Sequence, residues 1–158
     1  MLTPSSRVLY LYAVITGASG GLGAELSRLY LERGWNVEGM DLQESGRAAA
    51  LREAFEERFH FTPVDVTSDE QVEAFAASVG ERTDRIDVLI NAAGVLTKNG
   101  ENHLEDFDIS ASLKVFDINA LGPLRVTKAF LKLLKRGEDR VLVDISSEAG
   151  SMQTNNNY

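Results

Sequence analysis

Short apolar runs alternate with longer amphipathic stretches along this chain. The apolar runs cover residues 7–15, 36–41, 59–66, 86–94 and 139–146, and the helical patterns cover residues 21–34, 45–59, 69–81 and 109–137. The fourth run is apolar on successive residues, as buried parallel strands are. Strands that alternate with helices are typical of βαβ units. The pattern predicts an α/β fold with a Rossmann-like, doubly wound parallel sheet of five strands in the order 3-2-1-4-5.

Local signals mark where the helices begin and where one of them is interrupted. Ser68 precedes Gln71 by three residues, a capping box that opens the third helix. Gly137 follows the fourth helical pattern, where glycine commonly ends a helix. Pro123 lies four residues after Asn119, so the carbonyl of Asn119 loses its normal helical donor. We expect either a simple kink there or a freed carbonyl that binds a water in a proton relay.

Composition narrows the range of partners. The formal net charge of -8 argues against nucleic acid or an anionic membrane, because no basic face is available for phosphates. The absence of cysteine excludes disulfides, thiolate zinc sites and cysteine nucleophiles. The first apolar run is well short of the roughly 20 residues that span a bilayer. We expect one domain over residues 1–158, cytoplasmic, with no membrane or nucleic-acid partner.

A glycine-rich turn joins the first strand to the first helix. In "ITGASGGLGAEL" the glycines Gly17, Gly21 and Gly23 are spaced G-x-x-x-G-x-G. Unpaired N–H groups and the positive end of the helix dipole favour anions at such a place. Glycine also lets a phosphate approach the backbone closely. A turn without any ligand would have the same sequence, but a P-loop is excluded because no Gly-Lys-Ser/Thr follows.

Two carboxylates follow at the ends of the next strands. Asp41 stands 18 residues after Gly23, where an acid can accept hydrogen bonds from an adenosine ribose and repel a 2′-phosphate. No Arg or Lys lies among residues 16–27 or 39–46 to compensate, so NAD is favoured over NADP as the cofactor. Asp65 ends the third strand as either a turn carboxylate or an acceptor for an adenine amino group.

Five short motifs occur in order along the chain. They are "TGASGGLG" (16–23), "DVT" (65–67), "NAAG" (91–94), "INALG" (118–122) and "ISS" (145–147). Together they resemble the classical short-chain dehydrogenase/reductase family. The resemblance implies an oxidoreductase that transfers hydride between NAD(H) and a small carbonyl or alcohol substrate. It also implies that the last strands and helices of the family's fold lie beyond residue 158.

The resemblance further implies a role for each motif residue. The residues implied to bind the cofactor are Gly17, Ser19, Gly21, Leu22, Gly23, Asp41, Asp65, Val66, Asn91, Ala92 and Gly94. The catalytic residues implied are Asn119, Ser147 and Tyr158. The family's tyrosine follows its serine by roughly a dozen residues, and Tyr158 stands 11 after Ser147. Tyr158 is therefore either the catalytic phenol or part of a longer substrate loop.

The lysine that the family carries four residues after its tyrosine would lie beyond residue 158. A tyrosine has an ordinary pKa near 10, and a nearby ammonium lowers it. We therefore expect negligible activity from residues 1–158 alone, with a non-catalytic dinucleotide-binding or interaction protein as the alternative function. No metal site is assigned, since a solvated acidic loop explains His103 and its carboxylate neighbours. Association into a homo-oligomer would use the helix 109–137.

Overall fold

The computed structural model describes residues 10–96 and 108–147. Their sheet is parallel throughout, with the order β3-β2-β1-β4-β5. Its strands are β1 Tyr12–Thr16, β2 Asn36–Asp41, β3 Phe59–Pro63, β4 Val88–Asn91 and β5 Val141–Asp144. The predicted fold class and strand order are confirmed.

The helices that connect these strands differ from the predicted ones at the end of the second helix, predicted to reach residue 59, and in the last helical segment. Their bounds are α1 Gly21–Glu32, α2 Gly46–Phe55, α3 Asp69–Arg82, α4 Ile109–Phe116 and α5 Gly122–Leu134. A 3₁₀ turn, Glu56–Arg58, follows α2, and a π-helical turn, Asp117–Leu121, separates α4 from α5. The helix predicted over residues 109–137 is therefore helical over residues 109–134, and one π-helical turn interrupts its regular pattern. The turn comes directly before Pro123, which has no N–H to continue the regular hydrogen-bond ladder.

β2 has the predicted bounds, but β3, β4 and β5 are shorter than the apolar runs that predicted them. The third run, 59–66, forms a strand only as far as Pro63, yet Val64 and Val66 beyond it are 3% and 8% exposed. An apolar run indicates burial, and burial continues into the turn that enters α3. Strand pairing stops earlier because the neighbouring β2 also ends at Asp41.

Each face of the sheet packs against its own pair of helices, as the alternation of side chains along a strand requires. On one face, strand residues such as Val14 and Leu89 pack with α3 and α5, where the rings of Phe75 and Phe130 meet edge to face at 5.5 Å. On the other face, strand residues pack with Leu31 of α1 and with α2. The loops at the carboxyl ends of the strands are therefore held by helices on both sides.

Two buried carboxylates are satisfied inside this core. Glu38 on β2 is fully buried, and both of its oxygens accept hydrogen bonds from Arg82, at 2.9 and 2.7 Å. Asp87, also fully buried, accepts the backbone N–H of Tyr12 at 2.8 Å and that of Glu138 at 2.7 Å. Because buried charge is costly unless it is paired or hydrogen-bonded, Glu38 joins β2 to α3, and Asp87 joins the segments that lead into β1, β4 and β5.

Candidate functional site

Glycines close the turn between β1 and α1. Gly17 has φ +69°, in the left-handed region that favours glycine, and the N–H of Gly20 donates to its carbonyl at 2.9 Å. A Cβ on Gly23 would stand 2.1 Å from the Gly17 carbonyl oxygen, so α1 can begin this close to β1 only with glycine there. No side chain caps α1 at Gly20, and its first turn holds no acidic residue. Its free N–H groups and dipole therefore suit an anion.

The same turn packs against the segment that follows β4. A Cβ on Gly17 would stand 2.9 Å from backbone atoms of Ala92 and Ala93. The hydroxyl of Thr16 accepts the N–H of Ala92 at 3.0 Å and that of Ala93 at 2.9 Å. Thr16 is the first residue of the motif TGASGGLG, but the sequence alone gave it no role. Its hydroxyl thereby connects the TGASGGLG motif to the NAAG motif.

Asp41 lies beside the glycine turn. Its Oδ2 accepts the N–H of Ser19 at 3.1 Å, and its Oδ1 accepts the N–H of Leu42 at 2.7 Å. Ser45 ties the two segments together, because its N–H donates to the Ser19 hydroxyl at 3.1 Å and its own hydroxyl donates to the Ser19 carbonyl at 3.0 Å. Each carboxylate oxygen retains a further lone pair, so Asp41 can still accept hydrogen bonds from sugar hydroxyls.

Asp65 forms a turn with Thr67. Its Oδ1 accepts the backbone N–H of Thr67 at 2.9 Å and the Thr67 hydroxyl at 2.7 Å. These two hydrogen bonds hold the pKa of the Asp65 carboxyl below its usual value. Ser68 caps α3 as predicted, since its hydroxyl accepts the N–H of Gln71 at 3.3 Å. The Gln71 side chain does not complete a capping box. Its Oε1 instead accepts the N–H of Asp65 at 2.9 Å.

Asn119 lies in the π-helical turn and holds the backbone of Val95 through both ends of its amide. Its Oδ1 accepts the Val95 N–H at 2.9 Å, and its Nδ2 donates to the Val95 carbonyl at 2.8 Å. At the end of the turn the N–H of Gly122 donates to the carbonyl of Asp117, five residues earlier. The distortion predicted before Pro123 is confirmed, and it takes the form of a π-helical turn, a feature frequent at functional sites. Water binding by the Asn119 carbonyl stays a prediction.

Arg125 ties this turn to the rest of the fold. Its guanidinium contacts Asp117 Oδ1 at 2.7 Å and Asp69 Oδ1 at 3.0 Å. Asp117 Oδ1 is buried and makes no well-directed hydrogen bond, so the contact with Arg125 is mainly one of charge. The predicted motifs did not include Arg125, and only the packing of α5 on α3 brings its two partners together.

The end of β5 reaches the same edge of the sheet. Asn91 Nδ2 donates to Asp144 Oδ1 at 2.7 Å and to Thr127 Oγ1 at 3.3 Å, which joins β4, β5 and α5. Ser147 follows β5 by three residues and so leaves the sheet at its carboxyl edge. Tyr158 and His103 lie outside the described residues.

A cavity of about 460 Å³ opens at this edge. The predicted cofactor residues that line it are Gly17, Asp41, Asp65, Val66, Ala92 and Gly94. The others, Ser19, Gly21, Leu22, Gly23 and Asn91, lie next to it along the chain or behind its wall, and Leu22 is 52% exposed. Sequence reasoning missed the far wall, which Leu113, Lys114 and Ile118 form.

A basic residue also lies closer to the glycine turn than expected. Arg47 belongs to the first turn of α2, and its Nη1 stands 3.4 Å from the point where a Cβ on Gly21 would be. The stretch 39–46 contains no Lys or Arg, and Arg47 is the next residue. The sequence alone does not reveal this proximity, because it arises from the packing of α2 beside α1.

Other site classes find no support in the part of the chain that the structure describes. No three His, Asp or Glu side chains within residues 10–96 and 108–147 are placed to hold a metal ion. Asp108, the last of the carboxylate neighbours of His103 in "ENHLEDFD" (101–108), caps α4 by accepting the N–H of Ala111 at 3.0 Å. The helices in these ranges are all too short or too polar to cross a membrane.

Comparison with known proteins identifies the family. The family model described as short chain dehydrogenase matches residues 11–158. The chain belongs to the short-chain dehydrogenase family. The resemblance found in the sequence motifs is confirmed, and with it membership of an oxidoreductase family.

Two curated relatives illustrate the similarity of this short-chain dehydrogenase. The chain is 30% identical over 140 residues to 3-oxoacyl-[acyl-carrier-protein] reductase FabG of Vibrio harveyi, covering 89% of this chain and 56% of the relative. It is 32% identical over 126 residues to 3-hydroxyacyl-CoA dehydrogenase type-2 of Homo sapiens, covering 75% of this chain and 46% of the relative. The chain thus spans about half the length of these relatives.

Solved structures share the fold over most of the chain. An NADPH-bound carbonyl reductase from chicken fatty liver superposes with a TM-score of 0.80 at 27% identity, covering 92% of this chain and 63% of that one. A short-chain dehydrogenase from Streptomyces avermitilis superposes with a TM-score of 0.73 at 27% identity, covering 81% and 46%. Both share the fold of this short-chain dehydrogenase.

Proposed function

We propose that this chain is the dinucleotide-binding part of an NAD(H)-dependent oxidoreductase that interconverts a small carbonyl compound and its alcohol. One observation carries the choice of cofactor: the carboxylate of Asp41 accepts the N–H of Ser19 within the glycine turn. That bond keeps a negative charge where an adenosine ribose would lie. The oxidoreductase class comes from the family.

The residues of the cleft fit a dinucleotide. Gly17 and Gly23 leave no room for a Cβ, so only glycine lets the amino end of α1 pack this close to the ends of β1 and β4. We propose that this amino end binds the diphosphate and that Asp41 binds the ribose hydroxyls. Asp65 and the N–H of Val66 would bind the adenine at the neighbouring strand end. When bound, the nicotinamide ring supplies or accepts the hydride.

The phosphorylated cofactor is the main competitor in this proposal. A related carbonyl reductase binds NADPH, so family membership alone does not select between the two. The Asp41 carboxylate would repel a 2′-phosphate and lose its ribose hydrogen bonds at the same time. We therefore propose NAD(H) as the preferred cofactor.

The catalytic roles are proposed from the family pattern. Ser147 would hold the substrate oxygen by its hydroxyl, and Tyr158 would exchange a proton with that oxygen. Asn119 holds Val95 at the rim of the cleft, and its carbonyl would bind a water nearby. A tyrosine with a pKa near 10 is poorly matched to this task at neutral pH without a neighbouring cation. We propose negligible carbonyl reduction by residues 1–158 alone.

Calorimetric titration with NADH and NADPH tests the cofactor site. The unmodified chain should bind NADH more tightly than NADPH. The Asp41→Asn variant should bind NADH about tenfold more weakly, because a charged acceptor for the ribose hydroxyls is lost, and should bind NADPH more tightly. Asp84→Asn removes the same charge from an exposed position at the other end of β4 and should change neither affinity. A chain that is folded by circular dichroism but binds no dinucleotide would refute the proposal.

A further inference from the structure

We propose that Arg125 is a positioning residue of the cleft: it holds the π-helical turn in the arrangement that lets Asn119 bind the backbone of Val95. Arg125 does not itself line the cleft, so it would act on a bound dinucleotide through this turn. The part of this inference that concerns ligand binding rests on the proposed function of the cleft.

The π-helical turn contacts both sides of the cleft. Its first residue, Asp117, is part of the cleft lining. The amide of Asn119 in the same turn makes two hydrogen bonds with the backbone of Val95, at 2.9 and 2.8 Å. At the end of the turn a Cβ on Gly122 would stand 3.1 Å from Val66 Cγ2, so the turn also packs against the segment that follows β3. A shift of the turn would therefore move the rim of the cleft at Val95.

Arg125 contacts the first residue of the turn at two points. Its Nη2 lies 2.7 Å from Asp117 Oδ1, and its Nη1 lies 3.5 Å from the Asp117 carbonyl oxygen. The same carbonyl accepts the N–H of Gly122, five residues further on, which is the spacing that defines a π-helical turn. The guanidinium thus lies beside the atoms that distinguish this turn from a regular helix.

The charge of Arg125 suits this role because one carboxylate oxygen of Asp117 is buried. Within residues 10–96 and 108–147, Arg125 is the cation paired with that oxygen, Asp117 Oδ1. A buried carboxylate oxygen that loses its partner carries an energetic penalty. The Nε of Arg125 lies 3.0 Å from Asp69 Oδ1 at the start of α3. The guanidinium is therefore also held from the side of α3 while it contacts the turn.

The position of Val95 predicts which half of a dinucleotide should respond to Arg125. In the proposed function, the adenosine lies at the ends of β2 and β3 and the diphosphate lies at the amino end of α1. The remaining half must then extend over β4, which neighbours β1 in the sheet. Gly94 and Val95 line the cleft there. Loosening of the π-helical turn should therefore weaken a whole dinucleotide more than its adenosine half alone.

Hydrogen exchange measured by NMR tests the link from Arg125 to Val95 without any ligand. In Arg125→Met the Val95 N–H should exchange about tenfold faster, because Asp117 Oδ1 loses its partner and the turn opens more often. The Thr67 N–H, which Asp65 accepts at 2.9 Å, should exchange at an unchanged rate. Lys128→Met removes the same charge from an exposed position three residues further along α5 and should change neither amide.

Calorimetry tests the consequence for ligand binding. Arg125→Met should bind NADH about fivefold more weakly, as expected when contacts worth about one hydrogen bond are lost. Its affinity for 5′-AMP should change by less than about twofold, as for a substitution away from the contacts of that ligand. Lys128→Met should match the unmodified chain with both ligands.

Arg125→Lys is the second variant, which is used alone if thermal denaturation shows that Arg125→Met does not fold. It keeps the positive charge but not the planar fork that contacts two carboxylates and a carbonyl. It should therefore show the same pattern as Arg125→Met, with a smaller loss.

Three kinds of result would overturn the proposal. Unchanged exchange at Val95 in a folded Arg125 variant would show that the turn is held without Arg125. Equal acceleration at Val95 and Thr67, or equal weakening of NADH and 5′-AMP, would show that Arg125 supports the fold in general. Faster exchange at Val95 with unchanged NADH affinity would confine Arg125 to the turn and remove its role in the cleft.

Failure of the unmodified chain to bind NADH has a different meaning. It would refute the proposed function of the cleft, because the dinucleotide would then have no site there. The exchange experiment needs no ligand, so it would still test the link between Arg125 and Val95.

Discussion

Two regions of this short-chain dehydrogenase differ in how completely their apolar residues are covered. In the glycine-turn region, residues 12–41, Ala13, Val14 and Ile15 are fully buried, and glycines face backbone atoms at close range. In the α4–β5 region, formed by α4, the π-helical turn, the outer face of α5 and β5, no residue of α4 is buried and most of β5 is exposed.

The difference separates a region whose apolar residues are buried within the chain from one whose apolar residues face outward. Exposed apolar residues of the α4–β5 region include Ile109, Leu113, Phe116, Leu124 and Ile145, which are between 46% and 68% exposed. Large apolar patches of this kind mark surfaces that other protein covers. We therefore expect nucleotide binding to depend on the glycine-turn region and the strand ends beside it, and association to depend on the exposed apolar residues of the α4–β5 region.

The largest expected effect comes from Gly23→Ala in the glycine-turn region. The new Cβ would stand 2.1 Å from the Gly17 carbonyl oxygen, and backbone cannot yield as a flexible side chain can. We expect a loss of about 3 kcal/mol in the free energy of unfolding, measured in urea, together with loss of NADH binding.

Gly46→Ala is the matched control for that variant. Gly46 begins α2, and a Cβ there would meet no atom within 4 Å. We expect unchanged NADH binding and a gain of about 0.5 kcal/mol, since alanine restricts the unfolded chain. If Gly23→Ala were as stable as Gly46→Ala, the turn would be looser than described and the contrast between the two regions would fail.

An intermediate effect is expected from Leu124→Lys in the α4–β5 region. Leu124 is 64% exposed on α5, within the segment 109–137 through which we predict self-association. A charge at an apolar interface should weaken association about tenfold, as measured by sedimentation at several concentrations, with NADH affinity unchanged. Ala74→Lys adds the same charge to an exposed position on α3 and should leave association unaltered. Identical sedimentation of the two variants would exclude this surface.

The smallest expected effect is the pH dependence that Thr67 gives to stability. The N–H and hydroxyl of Thr67 lower the pKa of Asp65 in the folded chain. These hydrogen bonds therefore add fully to the free energy of unfolding above the unfolded pKa of about 3.9. Their contribution is lost as the pH falls through the lower, folded pKa. Thr67→Val removes the hydroxyl donor and should cost about 1 kcal/mol at pH 7, with a difference that narrows below pH 4 in acid-titrated urea melts.

Thr83→Val provides the control for that pH dependence. The Thr83 hydroxyl donates to the carbonyl of Arg85 at 2.8 Å, which does not titrate. Its cost should stay constant over the same pH range. A parallel narrowing in both variants would show that acid weakens the whole fold rather than the Asp65 turn.

Much of the fold could be predicted because its signals are local. The glycine spacing, the cap at Ser68 and the apolar runs each reflect contacts within a few residues, and the structure confirms the cap and the strand order. The helix predicted over residues 109–137 ends at Leu134 and contains a π-helical turn that the sequence did not specify. Pro123 signalled a distortion, but whether a helix kinks or gains a π-helical turn depends on the partners of Asn119 and Arg125 on other elements.

By itself, the sequence determined the family, the parallel sheet and which strand ends carry Gly17, Asp41 and Asp65, because burial pattern and glycine conformation are properties of local chain segments. Only the tertiary structure decided that Thr16 joins two motifs, that Asn119 holds Val95, and that Arg47 returns to the amino end of α1. Those contacts depend on helix packing, and the crossing of two helices is set by many weak contacts that no short motif records.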